Sequence, residues 1–405
     1  MGYDPLGALA LTLRVGVFVM SSYIVSGCRT PVGKFLGSLA TVPATELGAV
    51  VVREALSRSG IPASDVNEVI MGNVLSAGLG QAPARQAALG AGLPPTVAAL
   101  TINKVCGSGL KAVMLADQAI RCGDAEVVVA GGMESMSRAP FLLPGARNGW
   151  KFGDQTAVDS MIHDGLFCPF EKRHMGAAAD ITAHNWKVSR EDQDAYSVES
   201  HRRAVASAEL GCFDAEIVSV PGKQLVTRDD GPRPDTSMEA LSKLRPSFGS
   251  DGFVTAGNAS QLSDGAAAVV VVDEERAAKA LAPIKARIVA SATSGVEPKE
   301  VFLSPVGAIE RVLARAGWGL SDIDLFELNE AFAAQILACT SALKLPPEKL
   351  NVRGGAIALG HPIGASGARL LVTLLYALAE KKLKRGLAAL CLGGGNAVAM
   401  VVERV

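Results

Sequence analysis

The sequence predicts an α/β protein built from two similar halves, with a more polar segment inserted in the first. Three observations carry that reading. Short runs rich in Val and Ala alternate with longer runs of helical spacing. A glycine-opened helix, then a strand, then a glycine pair occurs twice along the chain. Glycine is abundant (43 of 405 residues) and aromatic residues are few (5%), which suits layers packed at close backbone approach.

The elements follow in order. Residues 6–19 are apolar except for Thr12 and Arg14. The run is short for a bilayer span and its charge sits inside it, so neither a membrane helix nor a secretory signal is expected. Residues 1–19 are read as an N-terminal extension without an ordered place in the fold, and the domain as starting at Met20. Residues 23–26 read as a first strand. Residues 45–59 read as a helix, with Leu47, Val50, Val51 and Leu56 near helical spacing and Gly60 as its stop. Residues 68–72 form a second strand. Residues 109–121 form a helix with Leu110, Val113, Met114 and Ile120 on one face, closed by Gly123. Residues 125–130 suit a strand buried on both faces. Residues 134–250 are more polar, hold one strong helix at 190–211, and read as a loop domain over the core. Residues 266–272 resume the buried-strand pattern. Helices near 308–316, 331–343 and 367–382 and strands at 387–392 and 397–403 complete the chain. The halves are therefore 20–133 with 251–285, and 286–405. The duplication rests on spacing: Gly109 precedes Gly131 by 22 residues, and Gly367 precedes Gly393 by 26.

Charge and cysteine usage exclude several functions. Lys+Arg is 39 and Asp+Glu is 40, leaving no basic excess to neutralise a phosphate backbone, so no nucleic acid is expected as a partner. No membrane partner is expected either. Seven cysteines, at 28, 106, 122, 168, 212, 339 and 391, include no C-x-x-C pair. That argues against a zinc ribbon or thioredoxin motif and for a reducing, cytoplasmic setting. His163, Cys168 and His174 lack a second ligand pair of familiar spacing, so no metal site is expected.

Four segments carry the chemistry. Cys106, in N-K-V-C-G-S-G-L-K, sits where a turn gives way to a helix. A helix N-terminus favours a thiolate, and Gly107 and Gly109 would let backbone pass close to a substrate. Taken alone, the segment reads by default as a buried structural cysteine. Its G-x-G-x-x-A spacing also touches the dinucleotide fingerprint, but the next strand ends Ala130-Gly131-Gly132, without the acid that would hold a ribose. Asn329 and Glu330 open an Ala-rich helix, where they read as catalytic residues or as a cap. His361 lies in G-G-A-I-A-L-G-H-P-I-G-A-S-G, a frame with few bulky neighbours, which suits a base that must approach a thiol and a carbonyl. Cys391 ends a strand at Gly393-Gly394-Gly395, mirroring Gly131-Gly132.

These segments together resemble the thiolases. The V-C-G-S-G, N-E-A-F, G-H-P-I-G-A-S-G and C-x-G-G-G motifs stand in that family's order, and H-M-G at 174–176 and T-A-G-N-A-S at 255–260 add to the match. The resemblance covers nearly the whole chain. It implies the thiolase fold, two α/β halves forming a five-layer αβαβα core with an inserted loop domain. It implies an acetyl-CoA acetyltransferase working by a ping-pong acyl-enzyme, with acetyl-CoA, acetoacetyl-CoA and CoA as substrates and no further cofactor. Cys106 would be the nucleophile, His361 its base and Cys391 the second acid/base. Asn329 would position a water in one oxyanion hole, and the N–H groups of Cys106 and Gly393 would form the other. Ser260 would contact pantetheine and Arg233 the nucleotide end. His174, Met175 and Phe332 would shape a short-chain acyl pocket. Residues 141–153 align with a loop that pairs dimers into tetramers, so a homo-oligomer, a dimer of dimers, is expected.

The chain departs from the family pattern at Asn396-Ala397, where Ala397 tolerates a left-handed backbone poorly. Cys28 replaces a usual Ala and reads as a small buried residue. Lys104 reads as a thiolate neighbour or a solvated charge. A broader-chain 3-ketoacyl-CoA thiolase is the nearest alternative. A decarboxylating ketoacyl synthase would need a second catalytic His where this chain has Asn329 or Cys391. A non-catalytic lipid-binding relative would be expected to lack one of Cys106, His361 and Cys391.

Overall fold

The computed structural model describes residues 20–222, 224–280 and 284–405. The N-terminal extension of residues 1–19 lies outside them. The first half contains β1 (Ser22–Arg29), α1 (Ala44–Ser59), β2 (Glu68–Gly72), α2 (Pro83–Gly90), β3 (Ala98–Ile102), α3 (Ser108–Cys122) and β4 (Val127–Ser135). The inserted segment carries α4 (Met175–Trp186) and α5 (Arg190–Glu209), after which β5 (Ser263–Asp273) returns to the first half. The second half contains β6 (Ala286–Gly295), α6 (Ser304–Ala316), β7 (Leu325–Leu328), α7 (Ala333–Leu343), α8 (Ser366–Glu380), β8 (Arg385–Leu392) and β9 (Asn396–Arg404).

These strands, with Gly33–Lys34 paired to β5, make a ten-stranded sheet of order β7-β8-β9-β6-β1-β5-β4-β2-β3. β1 and β6 meet through two residue pairs, Tyr23–Arg287 and Ile24–Ala286, so the sheet is two half-sheets joined at a narrow seam. The halves repeat each other. β2 and β4 are parallel, while β4–β5 and β5–β1 are antiparallel. β7 and β8 are parallel, while β8–β9 and β9–β6 are antiparallel. A parallel bridge from Phe326 to Leu350 stands where β3 stands in the first half. The duplication suggested by glycine spacing is therefore a duplication of strand order.

Three apolar clusters separate five layers. α1 and α2 pack on the outer face of the first half-sheet around Leu47, Val51, Val69, Val129 and Val270. α6 and α7 pack on the outer face of the second around Ile309, Val312, Phe326, Ile336 and Val401. α3 and α8 lie between the half-sheets, with Leu110, Val113, Leu371, Leu374 and Leu390 in one buried cluster. The two central helices touch backbone to backbone. A Cβ at Gly109 would stand 2.8 Å from the Ala368 nitrogen, and one at Gly367 would stand 2.5 Å from the Leu110 nitrogen. This corrects the expectation that Gly107 and Gly109 admit a substrate. Gly109 admits α8, and a Cβ at Gly107 would run into the Leu392 side chain.

Gly60 and Gly123 end α1 and α3 at φ of 69° and 78°, as their positions predict. β3, β6, β7, α2 and α4 were not legible in the sequence. β3 and β7 are five and four residues long, and β6 mixes Ser and Thr into its run, so none presents the continuous apolar signal of β4 or β5. β4 also runs on to Ser135, two residues into the stretch assigned to the loop domain.

That loop domain is fastened by buried charge. Arg29 is fully buried and donates to Glu216 at 2.5 Å and to Asp229 at 2.7 Å, and Arg353 donates to Glu216 at 3.2 Å. Both guanidinium groups lie over the Phe213 ring, at 5.0 and 6.0 Å. Among the described residues no helix is long and apolar enough to cross a membrane.

Candidate active site

Cys106 precedes α3 in a tight turn. Val105 takes a φ of 46°, a conformation that β-branched residues rarely adopt, and the Gly107 and Ser108 N–H groups donate back to Lys104 and Val105 carbonyls at 3.1 Å. The strained turn sets the Cys106 side chain, half-buried, on the wall of a cavity of about 270 Å³. Helix position alone predicts a lowered thiol pKa. Burial overrides it and pushes the thiol up to about 12, with buried Glu134 acting in the same direction. The backbone N–H groups of Gly393 and of Cys106 itself oppose that shift. Cys106 therefore rests as a thiol and needs a base.

His361 lines the same cavity, and its hydrogen bonds decide which ring nitrogen can take a proton. Its Nδ1 lies 2.6 Å from Ser366 Oγ, and Ser366 spends its own hydroxyl proton on the Pro362 carbonyl at 2.9 Å. Ser366 must accept from Nδ1–H, which leaves the lone pair on Nε2. Burial first, and then the positive charge of Arg369, lower the imidazole to about 3, so it rests neutral. Asn329 Nδ2 stands 3.4 Å from Nε2, while Asn329 Oδ1 is buried with no donor among the described residues and is open to accept one. Asn329 is no helix cap: α7 begins four residues later, with Phe332 at its N-cap position.

Cys391 ends β8 and is buried against Phe302, Phe332 and Ala331. Burial, then the neighbouring Cys106 and Cys339 thiols, raise it well above the ordinary thiol value, so it rests protonated. Beyond it, Gly394 and Gly395 take φ of 82° and 86° and turn the chain. Asn396 and Ala397 are already in β9, paired with Leu392 and Cys391, so the doubt raised by Ala397 does not apply. Lys104 Nζ reaches Asn396 Oδ1 at 3.4 Å.

One cavity brings together Cys106, His361, Cys391, Gly393, Ser260, His174, Met175 and Phe332. Asn329 joins through His361. Arg233 does not: it is exposed, away from the cavity lining, and its backbone N–H donates to His201 Nδ1 at 3.1 Å. His174 caps α4 through the Gly176 N–H and stacks on Phe248 at 4.6 Å. Phe302 meets Phe332 edge-on at 5.3 Å. Sequence reasoning missed Ser366 as the histidine's acceptor, although it lies within the quoted motif. It also missed Met136, Met161, Phe248 and Phe302 as cavity walls, for which nothing local distinguishes them from core.

The chain matches the family described as thiolase, N-terminal domain, over residues 22–275 and thiolase, C-terminal domain, over residues 282–404. The chain belongs to the thiolase family. It is 53% identical over 387 residues to an acetyl-CoA acetyltransferase of Pseudomonas aeruginosa, covering 94% of this chain and 98% of the relative. It is likewise 53% identical over 388 residues to an acetyl-CoA acetyltransferase of Cupriavidus necator, at the same coverages. A probable acetyl-CoA acetyltransferase of Escherichia coli is 50% identical over 386 residues, again covering 94% and 98%. The thiolase chemistry inferred from the motifs and the matches of this chain thus agree, and the mixed α/β sheet with helices on both faces is the architecture that family implies.

Proposed function

We propose that this thiolase is an acetyl-CoA acetyltransferase that interconverts acetoacetyl-CoA plus CoA with two molecules of acetyl-CoA. The observation that carries the reading is one cavity holding two protonated thiols beside a neutral imidazole whose Nε2 carries the lone pair. In the thiolysis direction His361 Nε2 takes the Cys106 proton and the sulfur attacks the 3-keto carbon. The C2–C3 bond breaks, acetyl stays on Cys106, and the departing enolate carbon takes the Cys391 proton. CoA then gives its thiol proton to the Cys391 thiolate and attacks the acetyl group. The Cys106 sulfur leaves and recovers its proton from His361. Synthesis is the reverse.

Fixed donors stabilise the oxygens that become negative. The N–H groups of Cys106 and Gly393, which both favour negative charge beside the Cys106 sulfur, would serve the former carbonyl oxygen of the tetrahedral intermediate, and Asn329 with His361 would serve the enolate oxygen. Each such donor contributes on the order of 3 kcal/mol to the barrier. The steps call for no cofactor beyond the CoA thioesters. Phe302, Phe332 and Met175 are among the apolar walls of this cavity, which supports small acyl groups.

A homo-oligomer, a dimer of dimers, goes with this reading. β3 is an unshielded sheet edge with Leu100 exposed, and Phe141, Trp150 and Phe152 are exposed on residues 141–153. Seven free thiols suit a cytoplasmic setting. The test is CoA-dependent loss of the acetoacetyl-CoA enolate absorbance, wild type beside Cys106→Ala. Loss in the first alone is expected. Turnover that survives in Cys106→Ala removes the mechanism, and turnover confined to longer 3-ketoacyl-CoA removes the short-chain assignment.

A further inference from the structure

His361 is carried by backbone with little regular structure: one helical turn at Ala356–Leu359, then a loop to Ser366. A base on such a segment keeps its place only if both ends are held. Before His361, the Ile357 N–H donates to Glu330 Oε2 at 3.2 Å. After it, the Gly364 N–H donates to Glu134 Oε2 at 2.9 Å. Glu330 follows β7 in the second half, and Glu134 lies on β4 in the first. Both carboxylates are buried, and neither lines the cavity.

The remaining partners of both carboxylates are donors. Glu330 accepts from Tyr196 Oη at 2.8 Å, Ser200 Oγ at 2.7 Å and Asn351 Nδ2 at 2.9 Å. Glu134 accepts from Asn73 Nδ2 at 2.9 Å and from the Val74 and Leu75 N–H groups at 3.0 and 3.1 Å. Four donors are met in full only by the ionised carboxylate, the form Glu134 takes above about pH 7, and its bonds are then the stronger charge-assisted kind. The segment is also pressed onto both groups. A Cβ at Gly355 would fall on the Glu330 carboxylate, and one at Gly364 would stand 2.7 Å from Glu134 Oε2.

We propose that Glu134 and Glu330 are positioning residues for the thiolase reaction, one from each half, which clamp the His361 segment at both ends and so fix Nε2 against Cys106 and Asn329. The proposal rests on the proposed function for its main assay. Misplacing a catalytic group by about 1 Å costs on the order of a hundredfold in rate, so a slack clamp should lower kcat more than KM.

The test is a double-mutant cycle with Glu134→Gln, Glu330→Gln and His361→Ala, read as kcat and KM for acetoacetyl-CoA thiolysis. Each glutamine puts an NH₂ among donors. In the wild-type background each change is expected to lower kcat by roughly tenfold or more, with KM within about threefold. In the His361→Ala background the same change is expected to alter the residual rate by less than about twofold, because nothing remains to be positioned. A loss that is equal in both backgrounds, or a kcat that does not fall, overturns the proposal. Should a glutamine variant not fold, Glu134→Asp or Glu330→Asp takes its place, keeping the charge but shortening its reach. Alkylation of Cys106 by iodoacetamide is run through the same cycle and needs no CoA substrate. If wild type turns over no acetoacetyl-CoA, the proposed function fails while the alkylation rates still decide the clamp.

Discussion

Removing a single buried hydroxyl should silence most of the base without touching the substrate cavity. Ser366 is fully buried, accepts from His361 Nδ1–H at 2.6 Å, and is absent from the cavity wall. In Ser366→Ala the Nδ1–H tautomer loses its acceptor, and an unmet buried donor costs about 1–3 kcal/mol. The competing tautomer, protonated at Nε2, gains by the same amount and cannot take the Cys106 proton. At 1.36 kcal/mol per factor of ten, the competent population and kcat fall by roughly 5- to 150-fold. KM for acetoacetyl-CoA should stay within about twofold, because no contact to substrate changes. Steady-state thiolysis gives both constants, and rapid-quench acetylation of Cys106 isolates the step. A kcat within twofold of wild type, or a loss that lies wholly in KM, would refute the tautomer argument.

Three further outcomes are expected. Cys391→Ala should still acquire a labelled acetyl group on Cys106 from acetyl-CoA but form no acetoacetyl-CoA, as peptide mass spectrometry and the condensation assay would read; condensation at wild-type rate would remove Cys391 from the proton transfer. Arg29→Met should leave the buried Asp229 side chain without its guanidinium partner and Glu216 with Arg353 as its remaining cation, and cost about 3 kcal/mol, seen as a lower urea midpoint at unchanged m-value; an unchanged midpoint would mean that the network holds nothing. Burial raises Glu134 from 4.5 to about 7, so between those values the native state binds the proton that the unfolded state has lost. Stability from this group therefore falls as pH rises through that window, and Glu134→Gln should flatten the slope of unfolding free energy between pH 4.5 and 7. An identical slope in the variant would place the titration elsewhere.

Much of the candidate site is legible in the sequence. Cys106, His361 and Cys391 sit among glycines in ordered motifs, and such residues in a frame that cannot pack them against bulk invite a chemical explanation. What surrounds them was less legible. Ser366 lay five residues from His361 in a quoted motif, yet its role depends on where its one proton goes, which a hydrogen bond to Pro362 decides. Glu134 stands alone in an otherwise uncharged strand, Val127–Ser135, and that mismatch of charge and context was an available signal. Glu330 and Asn329 both precede an Ala-rich helix, which leaves a cap as one reading of the pair. The helix begins at Ala333, and the two side chains diverge to different partners.

Local sequence determined what depends on neighbours along the chain: the helix stops at Gly60 and Gly123, the buried runs of β4 and β5, and a cysteine just before a helix start. Tertiary structure decided what depends on distant surroundings. It turned Cys106 from an expected thiolate into a thiol, because desolvation outweighs a helix N-terminus. It assigned Gly109 to a helix crossing, because α8 arrives 2.8 Å from where a Cβ would stand. And it gathered Cys106, from the first half, with His361 and Cys391, from the second, because the strand order is repeated and the two central helices pack against each other between the half-sheets. Burial and proximity are sums over the whole fold, and no window of sequence contains them.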